Sequence, residues 1–182
     1  MSSHRILAMA LIGAGLVVIG AAAWLLIPGM IAGGQTGLTA IPVQVNYPAP
    51  DLSLTDLQGN PVSLFDYRGQ TVLVNHWATW CPPCKEEMPE LQAYYEAHQG
   101  QGFTIIAIEA GQPVVEVADF VQRYGLTFPV WTDPMLKATA AFRNPGLPSS
   151  YVIDADGNVR LAWAGAVSRK TLEQHVTPFL ED

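Results

Sequence analysis

The chain has 182 residues, a formal net charge of −7 at pH 7, 49% hydrophobic residues and two cysteines, so its length suits one ordinary domain plus an attachment segment. All 16 acidic residues and 8 of the 9 basic ones lie from Asp51 onward; such an acidic body argues against nucleic acid, which needs a basic face, and against lying flat on an anionic membrane. Both cysteines fall in one Cys-x-x-Cys, which excludes a small secreted fold stapled by several disulfides.

Ile6 to Ile27 is a run of 22 residues without a charge. At 1.5 Å per residue it reaches roughly 33 Å, enough for a hydrocarbon core of about 30 Å. Signal-peptide apolar regions are shorter, about 7–15 residues. The segment 1–30 therefore reads as an uncleaved single-pass membrane anchor in preference to a cleaved signal, for which Ala32-Gly33-Gly34 is only a weak cleavage site. Arg5 precedes the run and the next basic residue is Arg68, so the positive-inside rule puts the remainder of the chain on the extracytoplasmic side of a cell membrane. No cysteine follows the run closely enough for lipoprotein processing. Residues 31–48, rich in Gly, Pro, Thr and Gln, read as a flexible linker, and 49–182 as the globular domain.

Within the domain, Leu52–Thr55 and Val62–Leu64 flank Gln58-Gly59-Asn60-Pro61 and predict a hairpin. Thr71–Ala78 is β-branched and nearly all apolar, as a strand covered on both faces should be. A helix is predicted from Cys81–Pro82 to His98 with Met88, Leu91 and Tyr95 inward. There follow a strand at Phe103–Ala110, a helix at Val114–Tyr124 capped by Gly125, a short strand at Phe128–Trp131 and a helix at Met135–Phe142. Ser150–Asp154 and Val159–Ala164 flank the Asp156-Gly157 turn, and Ser168 caps a last helix reaching Leu180. The order predicts an α/β fold with a mixed sheet.

Cys81-Pro82-Pro83-Cys84 sits where a strand ends and a helix starts. Helix-start amides and the positive end of the helix dipole favour thiolate over thiol, and the thiolate is the nucleophile. Cys81 is then the exposed attacking sulfur, and Cys84, one turn deeper, resolves the mixed disulfide. Trp80 directly precedes the pair, Pro89 interrupts the helical pattern, and Gly146-Leu147-Pro148 leads into a strand.

With these features the domain resembles the thioredoxin superfamily, and most its TlpA/ResA-type membrane-anchored branch. The run Trp77-Ala78-Thr79-Trp80-Cys81-Pro82-Pro83-Cys84 with Glu87 and Pro89 carries the resemblance, as do Ala49-Pro50-Asp51 and Asp66-Tyr67-Arg68-Gly69. It covers roughly Ala49 to Leu180. It implies a thioredoxin fold with an extra N-terminal hairpin, a cis Leu147–Pro148 bond, and client binding along the backbone there, beside Trp80. It implies Glu87 as a buried acid near the resolving cysteine. It also implies protein thiol or disulfide clients outside the cytoplasm, as in cytochrome c maturation, a membrane electron donor, and no cofactor or metal.

Two positions depart from the wider pattern: Asn75 stands where many thioredoxins carry Asp, and His76 where an aromatic, commonly Phe, is usual. Asn75 cannot act as a base, so proton transfer at Cys84 falls to Glu87 or to water. His76 reads as a packed core histidine. The rival functions are a dithiol oxidase, a thiol peroxidase, and a non-catalytic copper- or metal-delivery module. Thiol peroxidases resemble Pro-x-x-x-Thr-x-x-Cys, whereas Ala78 stands three before Cys81 and Val74 seven before it. A copper carrier should add Met or His ligands, and only Met88 is near the pair.

Overall fold

The computed structural model describes residues 40–180. The Ile6–Ile27 span and most of the linker lie outside them; among the described residues no helix is long and apolar enough to cross a membrane. The described strands are β1 (Val43–Pro48), β2 (Ser53–Asp56), β3 (Pro61–Ser63), β4 (Thr71–Trp77), β5 (Phe103–Glu109), β6 (Val130–Thr132), β7 (Ser149–Ile153) and β8 (Asn158–Ala164). The helices are α1 (Pro82–His98), α2 (Val114–Tyr124), α3 (Lys137–Phe142) and α4 (Arg169–His175), with 3-10 turns at Leu64–Tyr67 and Thr177–Phe179.

The strands form one mixed sheet in the order β1-β8-β7-β4-β5-β6-β2-β3. β4, β5 and β6 are parallel neighbours, and the other pairs are antiparallel. Every residue of β4 and β5 is buried, because helices or loops cover both faces of a central parallel pair. Alternation splits their side chains into two cores. Leu73, Trp77, Ile105 and Ala107 pack with Met88, Leu91, Tyr94, Val117, Phe120 and Leu172. Val72, Val74, Ile106 and Ile108 pack with Leu54, Trp131, Phe142 and Tyr151. Each such aliphatic side chain contributes roughly 1.5–3 kcal/mol on leaving water, so these two layers fix the strand register. The thioredoxin fold with its N-terminal hairpin is thereby observed, β2 and β3 pairing Ser53↔Ser63 through Thr55↔Pro61.

Several boundaries differ from expectation. Val43–Pro48, assigned to the linker, is an edge strand paired with β8, and the Ala40 N–H donates to the Ala166 carbonyl. Pro42 and Pro48 hide its short alternating pattern, yet proline is tolerated at a sheet edge. Tyr94 rather than Tyr95 is the fully buried tyrosine of α1. α3 starts at Lys137, not Met135, because the Asp133 carboxylate accepts the Lys137 N–H at 2.9 Å and the Ala138 N–H at 2.7 Å. Met135 and Leu136 are left outside the helix and exposed. The last helix stops at His175 and resumes as a 3-10 turn, since Pro178 has no N–H to continue an α-helix. At the β7–β8 turn, Gly157 has φ 81°, and a Cβ there would collide with the Arg68 guanidinium.

Candidate active site

The parallel strands β4, β5 and β6 all end at one edge of the sheet, where ligands of open α/β folds bind. From Trp77 the chain turns through Ala78-Thr79-Trp80, closed by a Cys81 N–H to Ala78 carbonyl bond of 3.2 Å. Cys81 is the N-cap of α1, with Pro82 and Pro83 in its first turn. Neither proline offers an N–H, so the Cys84 amide is the one that reaches the Cys81 Sγ, at 3.3 Å. The two sulfurs form a disulfide with a Cα–Cα distance of 5.3 Å.

Access differs from expectation in degree. Cys81 is 3% exposed and Cys84 0%, whereas Trp80 is 60% exposed. In this oxidised pair the capping sulfur is drawn against the helix amide, and Trp80, Pro82 and Pro83 form the rim. Cys81 still has what little surface the pair retains.

Leu147–Pro148 is cis, as the resemblance implied. Register explains its position. β7 runs antiparallel to β4 with His76 opposite Ser149, so Pro148 falls one step further, at the edge where β4 hands over to the cysteine loop. Leu147 packs against the core cluster that contains both cysteines.

Beneath the pair lies a buried polar network. Asn75 Nδ2 donates to Glu87 Oε1 at 2.8 Å and to Ser150 Oγ at 2.9 Å. The Val167 N–H donates to Glu87 Oε2 at 3.1 Å. Burial pushes the Glu87 carboxyl up to about 8, although the hydrogen bonds from Asn75 and Val167 pull the other way. A neutral Glu87 carries a proton needing an acceptor, and Asn75 Oδ1, which lacks a partner, is one amide rotation away. Of the three neighbouring acids only Glu87 turns inward: Glu86 is exposed and Glu90 accepts the Arg169 N–H at 2.7 Å.

His76 lies on the opposite face, edge-on to Phe142 and Tyr151. Burial holds its imidazole down at about 4, with Asp133 opposing. It therefore packs as a neutral ring. Sequence reasoning missed Ser150 and Val167, which act through a hydroxyl and a backbone amide and carry no motif. It also missed Glu109, a buried carboxyl ending an otherwise apolar strand; a charge at the end of so apolar a run was the available signal. Among the described residues no group of three or more His, Cys, Asp or Glu side chains is arranged to hold a metal.

Comparison with known proteins agrees with this geometry. The AhpC/TSA family profile matches residues 45–162. The chain is 39% identical to thiol-disulfide oxidoreductase ResA of Geobacillus kaustophilus (strain HTA426) over 134 residues, 74% of this chain and 77% of that one. It is 37% identical to ResA of Bacillus anthracis over 134 residues, 74% of this chain and 78% of that one. A crystal structure of a thiol:disulfide interchange protein, a thioredoxin family protein from Chlorobium tepidum TLS, superposes with a TM-score of 0.68 at 30% identity. That alignment covers 76% of this chain and 99% of that one.

Proposed function

The chain belongs to the thioredoxin-like AhpC/TSA family and is a thiol–disulfide oxidoreductase, and we propose that it reduces protein disulfides on the extracytoplasmic side of a membrane. Ile6–Ile27 anchors it in the bilayer and a membrane dithiol donor resupplies its electrons. Apocytochrome c is the client class to which the resemblance points. Sequencing the N-terminal peptide of the mature protein tests the anchor; a terminus after Gly34 overturns it.

The reaction runs in two exchanges. The Cys81 thiolate attacks one sulfur of the client disulfide, and the other client sulfur leaves as a thiolate. Cys84 then gives its proton, directly or through water, to Glu87 in its ionised form, the minor form at neutral pH for a carboxyl near 8, and attacks the Cys81 sulfur. The client leaves fully reduced with two electrons, and the Cys81–Cys84 disulfide remains for the donor to reduce. A carboxyl near 8 is matched to a thiol of about 8.5, which favours proton transfer between them. Limiting alkylation of the reduced protein at neutral pH should label Cys81; preferential labelling of Cys84 reverses the roles.

One observation carries the direction of electron flow: a single amide, that of Cys84, reaches the Cys81 sulfur. A strong oxidant needs a heavily stabilised thiolate, because that makes its reduced form favourable. Pro82 and Pro83 remove two donors from the helix start that faces the sulfur. The Cys81 thiol should therefore titrate nearer thioredoxin's value of about 7 than DsbA's of about 3.5. Equilibrating the protein against a glutathione series should give a potential below about −200 mV, and a value near −120 mV would make it a dithiol oxidase instead.

A further inference from the structure

A second buried carboxyl, outside the network just described, lies at the same edge of the sheet. Glu109 is the last residue of β5 and is fully buried. In the parallel register it stands beside Trp77, the last residue of β4. Alternation puts its side chain on the face of Ile105, Ala107 and Trp77, which is the face of Cys84 and α1. Its Oε2 accepts the Gln112 N–H at 2.9 Å. Oε1 is buried without a hydrogen-bond partner. The strand-to-loop step is pinned again by the Ala110 N–H to Trp77 carbonyl bond of 2.9 Å.

We propose that Glu109 is a positioning residue for thiol–disulfide exchange: its carboxylate, fixed by the Gln112 amide and standing beside the strand end that leads into the Ala78–Cys81 loop, restrains ionisation of the Cys81 thiol by its charge. Packing alone gives no reason for this side chain. The rest of β5 reads Phe-Thr-Ile-Ile-Ala-Ile, and burying a carboxyl without full hydrogen bonding is costly. The cost is localised at the one loop whose amides and sulfur do the chemistry. The charged groups around Glu109 do not neutralise it. Burial, and then Glu116 on α2 and Asp133 after β6, both acidic, raise its carboxyl above the ordinary range. Two cations, Lys85 on α1 and Arg123 on α2, line a groove that they share with Thr79 and with the acidic Glu116 and Asp119. Glu87 supplies the other buried carboxyl on this face, and Glu86 is exposed in the first turns of α1. The sign follows: a negative charge beside the loop disfavours thiolate, so its removal should make Cys81 more acidic.

The inference concerns the reactivity of Cys81, whichever way electrons flow, and stands or falls separately from the reductant reading. Its test is the pH profile of Cys81 alkylation in the reduced full-length protein, compared between parent and Glu109→Gln. Gln keeps an acceptor for the Gln112 amide and loses the charge. The midpoint should fall by about one unit, giving about tenfold faster alkylation on the acid side of the profile. A tenfold gain of thiolate carried into the exchange equilibrium would raise the potential by about 30 mV. A Glu109→Gln profile that superimposes on the parent's, in a protein of unchanged thermal midpoint, means a purely structural carboxyl and overturns the proposal. A carboxyl NMR titration of the parent keeps the question open to refutation should that variant not fold. The Glu109 signal should titrate differently in the Cys81–Cys84 disulfide and dithiol forms, and identical titration in both forms overturns the coupling.

Discussion

Replacing Cys84 by serine is expected to turn the enzyme into a covalent trap. Cys81 keeps its place at the helix start, so the first attack still occurs. The second cannot, because serine offers no sulfur to displace the client. The mixed disulfide should then persist on a non-reducing gel and vanish with added thiol, while catalytic turnover is lost altogether. Cys84 is fully buried, and the hydroxyl that replaces it must find a partner at a cost of about 1–3 kcal/mol, so the variant should fold with a lowered midpoint. Cys81→Ser, by contrast, should give neither turnover nor trapped client, since the remaining sulfur has no accessible surface. Trapping by Cys81→Ser and none by Cys84→Ser would exchange the two roles.

Much of this arrangement is legible in the residues themselves, and the exceptions share a cause. β4, α1, β5 and α2 follow closely from local signals: a β-branched apolar run, a proline-led helix start, and a glycine that ends α2 with φ 63°. The two cysteines are legible for the same reason, since one helix start carries both, whereas only the family resemblance singles out Glu87 from the neighbouring Glu86 and Glu90. What was not legible depends on contacts between distant segments. Val45 looks like linker until β8 offers its strand a neighbour. Met135 and Leu136 look helical until Asp133 caps the next turn instead. Ser150 reaches Asn75, and Val167 reaches Glu87, from 75 and 80 residues further along the chain. No periodicity within α1 could announce them.

Neutralising Glu87 should change both the stability of the protein and the second half of its reaction, each with a pH signature. The folded carboxyl sits near 8 against an ordinary 4.5. Between those values the folded state binds the proton more tightly than the unfolded chain, so stability is greatest below about 4.5 and falls as pH rises toward 8. The slope is about 1 kcal/mol per pH unit where only this group differs. His76 acts in the opposite sense. Its folded value near 4 against 6.5 means that folding expels its proton, so its contribution grows from about pH 4 to 6.5 and offsets Glu87 there. The Glu87 slope should therefore emerge cleanly between about 6.5 and 8 in denaturant unfolding of the oxidised protein. Glu87→Gln should abolish it, because Gln does not titrate and its amide can donate to Asn75 Oδ1 once the Asn75 amide turns over. The same substitution removes the group whose ionised form, a minor fraction at neutral pH, takes the Cys84 proton. Decay of the mixed disulfide, followed after rapid mixing with a disulfide client, should slow at neutral pH. The deficit should shrink as pH passes the thiol's own value and Cys84 ionises unaided. An unfolding slope and a decay rate both equal to the parent's would show that Glu87 neither holds its proton in this range nor exchanges it with Cys84.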